Sequence, residues 1–165
     1  MPRELSRAGK KPEMIELRQG NLFNSGAEAI VNPVNCVGVM GRGLALEFKE
    51  RFPANFKAYQ AACKSGRLRP GHLLVHSQTG DVKFIINFPT KDHWRGASKM
   101  SYIVDGLQAL TEQLSAHQIA SVAIPPIGCG LGGLAWPEVL EQIKKTFQPL
   151  AGLKVFVYKP AIDLD

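Results

Sequence analysis

Ala29-Ile30-Val31-Asn32-Pro33-Val34-Asn35-Cys36-Val37-Gly38-Val39-Met40-Gly41-Arg42-Gly43 runs from an apolar stretch into a glycine-rich segment and then into a helical pattern. The opening stretch, Ala29 to Val34, reads as a buried strand ending at Asn32-Pro33. Beyond it, glycines permit positive φ angles and let backbone N–H groups approach an anion closely. The helix expected over Gly43 to Arg51 adds unsatisfied donors and a favourable dipole at the far end of the loop. In open α/β sheets ligands settle beyond the carboxyl ends of strands, so this loop is where binding is expected.

A second unit repeats the arrangement. Ile119 to Ile124 reads as a strand that stops at Pro125-Pro126, and Ile127-Gly128-Cys129-Gly130-Leu131-Gly132-Gly133-Leu134 leads into a helix over Pro137 to Phe147. Proline at an early helical position suits that start. One glycine-rich loop is no more than a set of tight turns. Two of them, each following a strand, would suit a diphosphate.

The remaining elements follow from periodicity. Met14 to Arg18, His72 to Ser77, Lys83 to Phe88 and Leu153 to Tyr158 read as strands, with Thr79-Gly80-Asp81 a turn between the second and third. Ala54 to Lys64 is a helix parted from the one before it at Pro53. Ser98 to His117 is the clearest helix, its stripe built from Met100, Ile103, Val104, Leu107, Leu110 and Leu114. The runs Phe84-Ile85-Ile86 and Val122-Ala123-Ile124 lack a wet face, as central strands covered by helices do. The expected fold is α/β, a three-layer α/β/α sandwich around a mixed, mostly parallel sheet.

Composition bounds the function. At 165 residues, with 45% hydrophobic and 21% charged positions, the chain suits one globular domain, and a monomer is expected. No apolar run reaches the ~20 residues of a membrane span, so no membrane partner is expected. Met1 to Lys11 carries Arg3, Arg7, Lys10 and Lys11 without an apolar segment, so it is no secretory signal; residues 1–12 read as a basic extension. Cys36, Cys63 and Cys129 lie far apart with no C-x-x-C pair, which fits a reducing cytoplasm and neither a disulfide framework nor a thiolate metal site. His72, His76 and His117 share no ligand spacing, so no metal is expected; no cofactor is expected either. The net charge of +6 hints at a polyanionic partner, and Arg42 to Arg69 is its densest stretch: a phosphate-contacting flank or simply two solvated helix faces.

Neither glycine loop is a P-loop, since no Lys-Ser or Lys-Thr follows the glycines. Gly38 to Gly43 also lacks the G-x-G-x-x-G order, and no acid stands about 20 residues later to hold a ribose. Kinase, ATPase and Rossmann dehydrogenase readings lose support.

Gly20-Asn21-Leu22-Phe23, Ala29 to Asn35, Gly38 to Gly43 and Ile127 to Trp136 resemble the macrodomain family in order and spacing. Asn87-Phe88-Pro89-Thr90-Lys91-Asp92-His93-Trp94-Arg95, taken with Asn35 to Gly41, is similar to its DarG branch, the antitoxins that reverse DNA ADP-ribosylation by the toxin DarT. The likeness covers about residues 14–159, and the domain is expected over residues 13–165. It implies ADP-ribose as ligand, ADP-ribosylated single-stranded DNA as substrate and the cognate ADP-ribosyltransferase toxin as a partner. By the resemblance, Asn21 and Leu22 meet the adenine, Asn21 standing where the family usually has Asp. Asn32, Asn35, Val39, Met40, Gly41 and Gly43 fall to the first loop's contacts, and Ile127, Gly128, Cys129, Gly130, Leu131 and Gly132 to the second's.

The resemblance places the catalytic group at Lys91, with Asn35 steering the distal ribose or the leaving base. An amine can attack the anomeric carbon of the ring-opened ribose and form a Schiff base that water hydrolyses. Taken without the resemblance, Lys91 is a solvated loop lysine like most others. A related branch pairs its lysine with an Asp in the second loop; here that position is Gly132, and none of the five Asp lies in either glycine loop. His93, Trp94 and Arg95 are candidate DNA contacts: Trp94 stacks on a base or packs under the loop, and Arg95 meets phosphate or solvent. Cys36 and Cys129 have no base partner and read as small packing residues. The expected activity is removal of ADP-ribose from thymidine in single-stranded DNA. The alternatives are a non-catalytic ADP-ribose reader and a hydrolase of protein-linked ADP-ribose esters.

Overall fold

The computed structural model describes residues 14–161, so the basic extension read over residues 1–12 lies outside the described residues. In chain order the elements are β1 (Ile15–Arg18), β2 (Ala29–Val34), α1 (Gly43–Arg51), α2 (Pro53–Lys64), β3 (Leu74–Ser77), β4 (Phe84–Pro89), α3 (Met100–Ala116), β5 (Ser121–Ile124), α4 (Trp136–Phe147) and β6 (Lys154–Tyr158). They form one sheet of order β1-β6-β5-β2-β4-β3, parallel throughout except for the antiparallel β3–β4 pair. The α/β fold with a mixed, mostly parallel sheet is the one expected. Among the described residues no helix is long and apolar enough to cross a membrane.

Strand alternation sorts the core into two layers. Ala29 and Val31 of β2, with Ile86, Phe88, Val122 and Val155, face α3 and α4. Ile30 and Val34, with Ile85 and Ala123, face α1 and α2, where Phe48 and Tyr59 fill the space. Both faces are covered, and this is why Ile85-Ile86 and Val122-Ala123 are continuous apolar runs.

The boundaries differ from expectation in instructive places. Pro53 begins α2, its ring filling the first helical position where no N–H is needed, and Phe52 is the residue that separates the helices. β3 begins at Leu74 because His72 is already committed to a turn, its N–H donating to Arg69 O at 2.8 Å. Val104, expected in the apolar stripe of α3, is 42% exposed; the stripe is narrow, and buried Gly106 occupies part of it. An ideal Cβ at Gly106 would stand 2.3 Å from Phe88 Cζ. A helix-interior glycine costs about 1 kcal/mol. Full burial of the Phe88 ring, worth about 1.5–3 kcal/mol, outweighs that cost.

Three buried amides join the sheet to α2. Asn32 and Asn87 are register partners on β2 and β4, and Asn32 Nδ2 donates to Asn87 Oδ1 at 3.1 Å. Asn55 of α2 donates to the same oxygen at 3.1 Å and accepts from Asn87 Nδ2 at 2.8 Å. All three are fully buried, where unpaired polar atoms are costly, and the cluster pairs every amide group but Asn32 Oδ1, which has no partner among the described residues.

Candidate functional site

The parallel strands β2, β4 and β5 release their chains at one edge of the sheet, and the three exit loops enclose a cleft of about 580 Å³. Each loop supplies a different chemistry. β2 delivers Asn35 to Gly43 and the first turn of α1, whose N–H groups have no side-chain cap. Such a helix start attracts anions. β4 delivers Thr90, Lys91, Trp94 and Arg95, and β5 delivers Gly128 to Gly132. Arg42, Lys91 and Arg95 are the charged residues of the lining, which includes no carboxylate among the described residues.

Of the residues singled out in the sequence, Asn35, Val39, Gly41, Gly43, Lys91, Trp94, Arg95, Gly128, Cys129, Leu131 and Gly132 line this cleft together. Asn21, Leu22, Asn32, Met40, Ile127, Gly130 and His93 are not among its lining. Leu22, Met40 and Ile127 are packed in the two cores, and Asn32 is held by the amide cluster. Asn21 is exposed; its side-chain oxygen accepts from Phe23 N at 2.9 Å and caps the short 3-10 turn Leu22–Asn24.

Asn35 is tied into its own loop. Its Oδ1 accepts from Tyr59 Oη at 2.7 Å and from the N–H of Val37 at 3.1 Å and Val39 at 3.4 Å. Its Nδ2 donates to Val39 O at 2.7 Å. Burial pushes the Tyr59 phenol above its ordinary range, so the hydroxyl keeps its proton and remains a donor.

Lys91 stands two residues beyond the end of β4 at Pro89, half-buried, with Nζ 3.5 Å from Trp94 O. That long contact leaves the amine free to serve the cleft. Trp94 is 41% exposed; His93 stacks on it with ring centroids 5.5 Å apart, and Arg95 Cζ lies 4.5 Å from its ring centroid. Within the basic flank, Lys49 lies over Phe56 and Arg51 over Phe23, so part of that charge is engaged with aromatic faces.

The cysteines are not activated nucleophiles. Burial pushes the Cys36 thiol up to about 12, with the negative charge of Asp92 adding to it, and pushes Cys129 up to about 11. Thiolate chemistry needs the opposite shift. Among the described residues no group of three or more His, Cys, Asp or Glu gathers in a set that could hold a metal ion.

Sequence reasoning passed over Thr90, Ser98 and Tyr59. Thr90 follows directly on β4, so the end-of-strand rule had pointed at it. Ser98 and Tyr59 reach the site through contacts distant in sequence, and no local pattern marks them.

Comparison with known proteins adds to this geometry. Residues 31–143 match the Macro domain family. The DNA ADP-ribosyl glycohydrolase of Thermus aquaticus is 44% identical over 149 residues, covering 89% of this chain and 41% of that protein. Its counterpart in Mycobacterium tuberculosis is 47% identical over 150 residues, 90% of this chain and 43% of the relative. The chain thus spans about two fifths of the length of the curated relatives it matches. Among solved structures, the macrodomain of Mycobacterium tuberculosis DarG superposes with a TM-score of 0.86 at 47% identity, covering 88% of this chain and 97% of that one.

Proposed function

The chain belongs to the macro domain family, and from that membership we propose that it is an ADP-ribosyl glycohydrolase acting on thymidine-linked ADP-ribose in single-stranded DNA. The observation that carries this reading is Lys91, a primary amine lodged between two glycine loops in a cleft without carboxylates among the described residues. The uncapped start of α1 and the backbone of Gly128 to Gly132 suit the diphosphate, and the cations Arg42 and Arg95 complement its charge.

In this scheme the distal ribose first opens, the bond from its anomeric carbon to the ring oxygen breaking as that oxygen takes a proton, and Lys91 Nζ adds to the anomeric carbon. The bond from that carbon to the base nitrogen breaks, the nitrogen takes a proton, and a Schiff base remains on the lysine. Water then adds to the imine carbon, freeing ADP-ribose and restoring the amine. Trp94, with Arg95 beside it, offers a stacking face for a neighbouring base of single-stranded DNA. Asn35, pinned by Tyr59, keeps the first loop in shape beneath the ribose. We take the domain to run over residues 13–165, to work as a monomer in the cytoplasm, and to oppose a DarT-type toxin.

A second reading, a non-catalytic reader of ADP-ribose, is favoured by one observation: Gly132 leaves the second loop without an acid. The test is to incubate the protein and Lys91→Ala with an ADP-ribosylated oligonucleotide and with an ADP-ribosylated protein. We expect release of ADP-ribose from the oligonucleotide, reduced at least about a hundredfold in the variant. Full activity in Lys91→Ala refutes the covalent scheme. Tight ADP-ribose binding with release from neither substrate leaves the reader, and release from the protein alone makes the chain an ester hydrolase.

A further inference from the structure

Ser98, one residue before the N-cap of α3, is only 6% exposed, lines the cleft, and its Oγ has no hydrogen-bond partner among the described residues. Folded proteins rarely bury an unpaired hydroxyl, and the exceptions call for an explanation in function. What covers this one is the second glycine loop. Ser98 N donates to Gly132 O at 3.0 Å, and an ideal Cβ at Gly132 would stand 2.4 Å from Ser98 Oγ. The same point lies 4.0 Å from Lys91 Cε, so hydroxyl and lysine converge on one spot.

Backbone conformation does not demand the glycine at 132. Its neighbours Gly130 and Gly133 have φ of 65° and 85°, in the left-handed region, whereas Gly132 has no such φ. The absent side chain at 132 is instead what leaves room for Ser98.

We propose that Ser98 Oγ is a specificity-determining contact for the distal ribose of ADP-ribose, held unpaired beneath Gly132 until the turn Gly130–Gly132 shifts on binding. This rests on the cleft being an ADP-ribose site. The distal ribose is the partner because Lys91, beside Ser98, must reach that sugar's anomeric carbon. The turn's contact with the hydroxyl is packing alone, and the backbone bond from Ser98 N to Gly132 O is the one that such a shift must break.

The experiment is calorimetric titration of the protein and Ser98→Ala with ADP-ribose and with ADP, which lacks the distal ribose, together with thermal melts. The expected result is about tenfold weaker ADP-ribose binding in the variant. ADP affinity is unchanged, and the melting temperature is equal or higher, because an unpaired buried hydroxyl has been removed. Unchanged ADP-ribose affinity overturns the proposal, and so does a lower melting temperature with equal losses for both ligands. Failure of the unsubstituted protein to bind ADP-ribose at all removes the ADP-ribose reading itself and this contact with it, a result distinct from failure in the variant alone.

Discussion

Replacing Tyr59 by Phe removes one oxygen from beneath the first loop and leaves the ring in the core. Tyr59 is fully buried, and its Oη lies 2.7 Å from Asn35 Oδ1, 2.9 Å from Asn35 O and 3.4 Å from Val39 O. A hydroxyl has one proton, so the shortest contact takes it and the substitution deletes one hydrogen bond, not three. Asn35 Oδ1 keeps the N–H groups of Val37 and Val39, so no orphaned acceptor is created there. The loss is therefore about 1 kcal/mol. That lowers the melting temperature by about 2–4 °C for a chain of this size. It also weakens the equilibrium that holds the loop by about fivefold. The expected outcome is ADP-ribose affinity about fivefold lower by calorimetry. A lower melting temperature with affinity within twofold of the parent would refute the idea that α2 shapes the site through Asn35.

Gly106→Ala sets a helix-propensity gain of about 1 kcal/mol against overpacking of about 1–3 kcal/mol. The new methyl would meet three Phe88 ring atoms at 2.3, 2.6 and 3.0 Å, so overpacking wins and the urea midpoint falls; an equal or higher midpoint contradicts the packing described. Stability should also respond to alkali. Cys36 and Cys129 have folded-state values of about 12 and about 11, raised from 9.0 by burial, so the folded chain holds those protons longer than the unfolded one. Their contribution is complete below about pH 9 and declines as the pH rises towards 11–12, which melts across that window will register. A melting temperature unaffected by replacing both cysteines with alanine in that window argues against the burial.

How much was legible in the chain depends on the range of the interaction. Gly43–Arg51 and Ala29–Val34 were readable to the residue because their apolar spacing and flanking glycines act locally. The cleft itself was foreseen, since two glycine loops after parallel strands must open on the same edge of the sheet. Lys91 was singled out by the resemblance that Asn87 to Arg95 carries; its residue type alone reads as a solvated loop lysine. Val104 was misplaced because periodicity shows which residues are apolar and not how wide a strip the sheet covers. Ser98 gave no signal: it read as the first residue of the helix running to His117, and only the approach of Gly132 in space gives it meaning.

The amide cluster of Asn32, Asn87 and Asn55 sets a condition on the chemistry far from any ligand. Were β4 to slip by one residue along β2, Asn32 would face a hydrocarbon neighbour and at least one carboxamide would be stranded in the dry interior. The penalty forbids the slip. Because Val34 and Pro89 end the two strands side by side, the same constraint fixes how far Lys91 stands from the first glycine loop. The offset between Lys91 and the first glycine loop is thus a tooth-and-notch setting made inside the sheet, and a change at Asn87 would shift that offset without touching either.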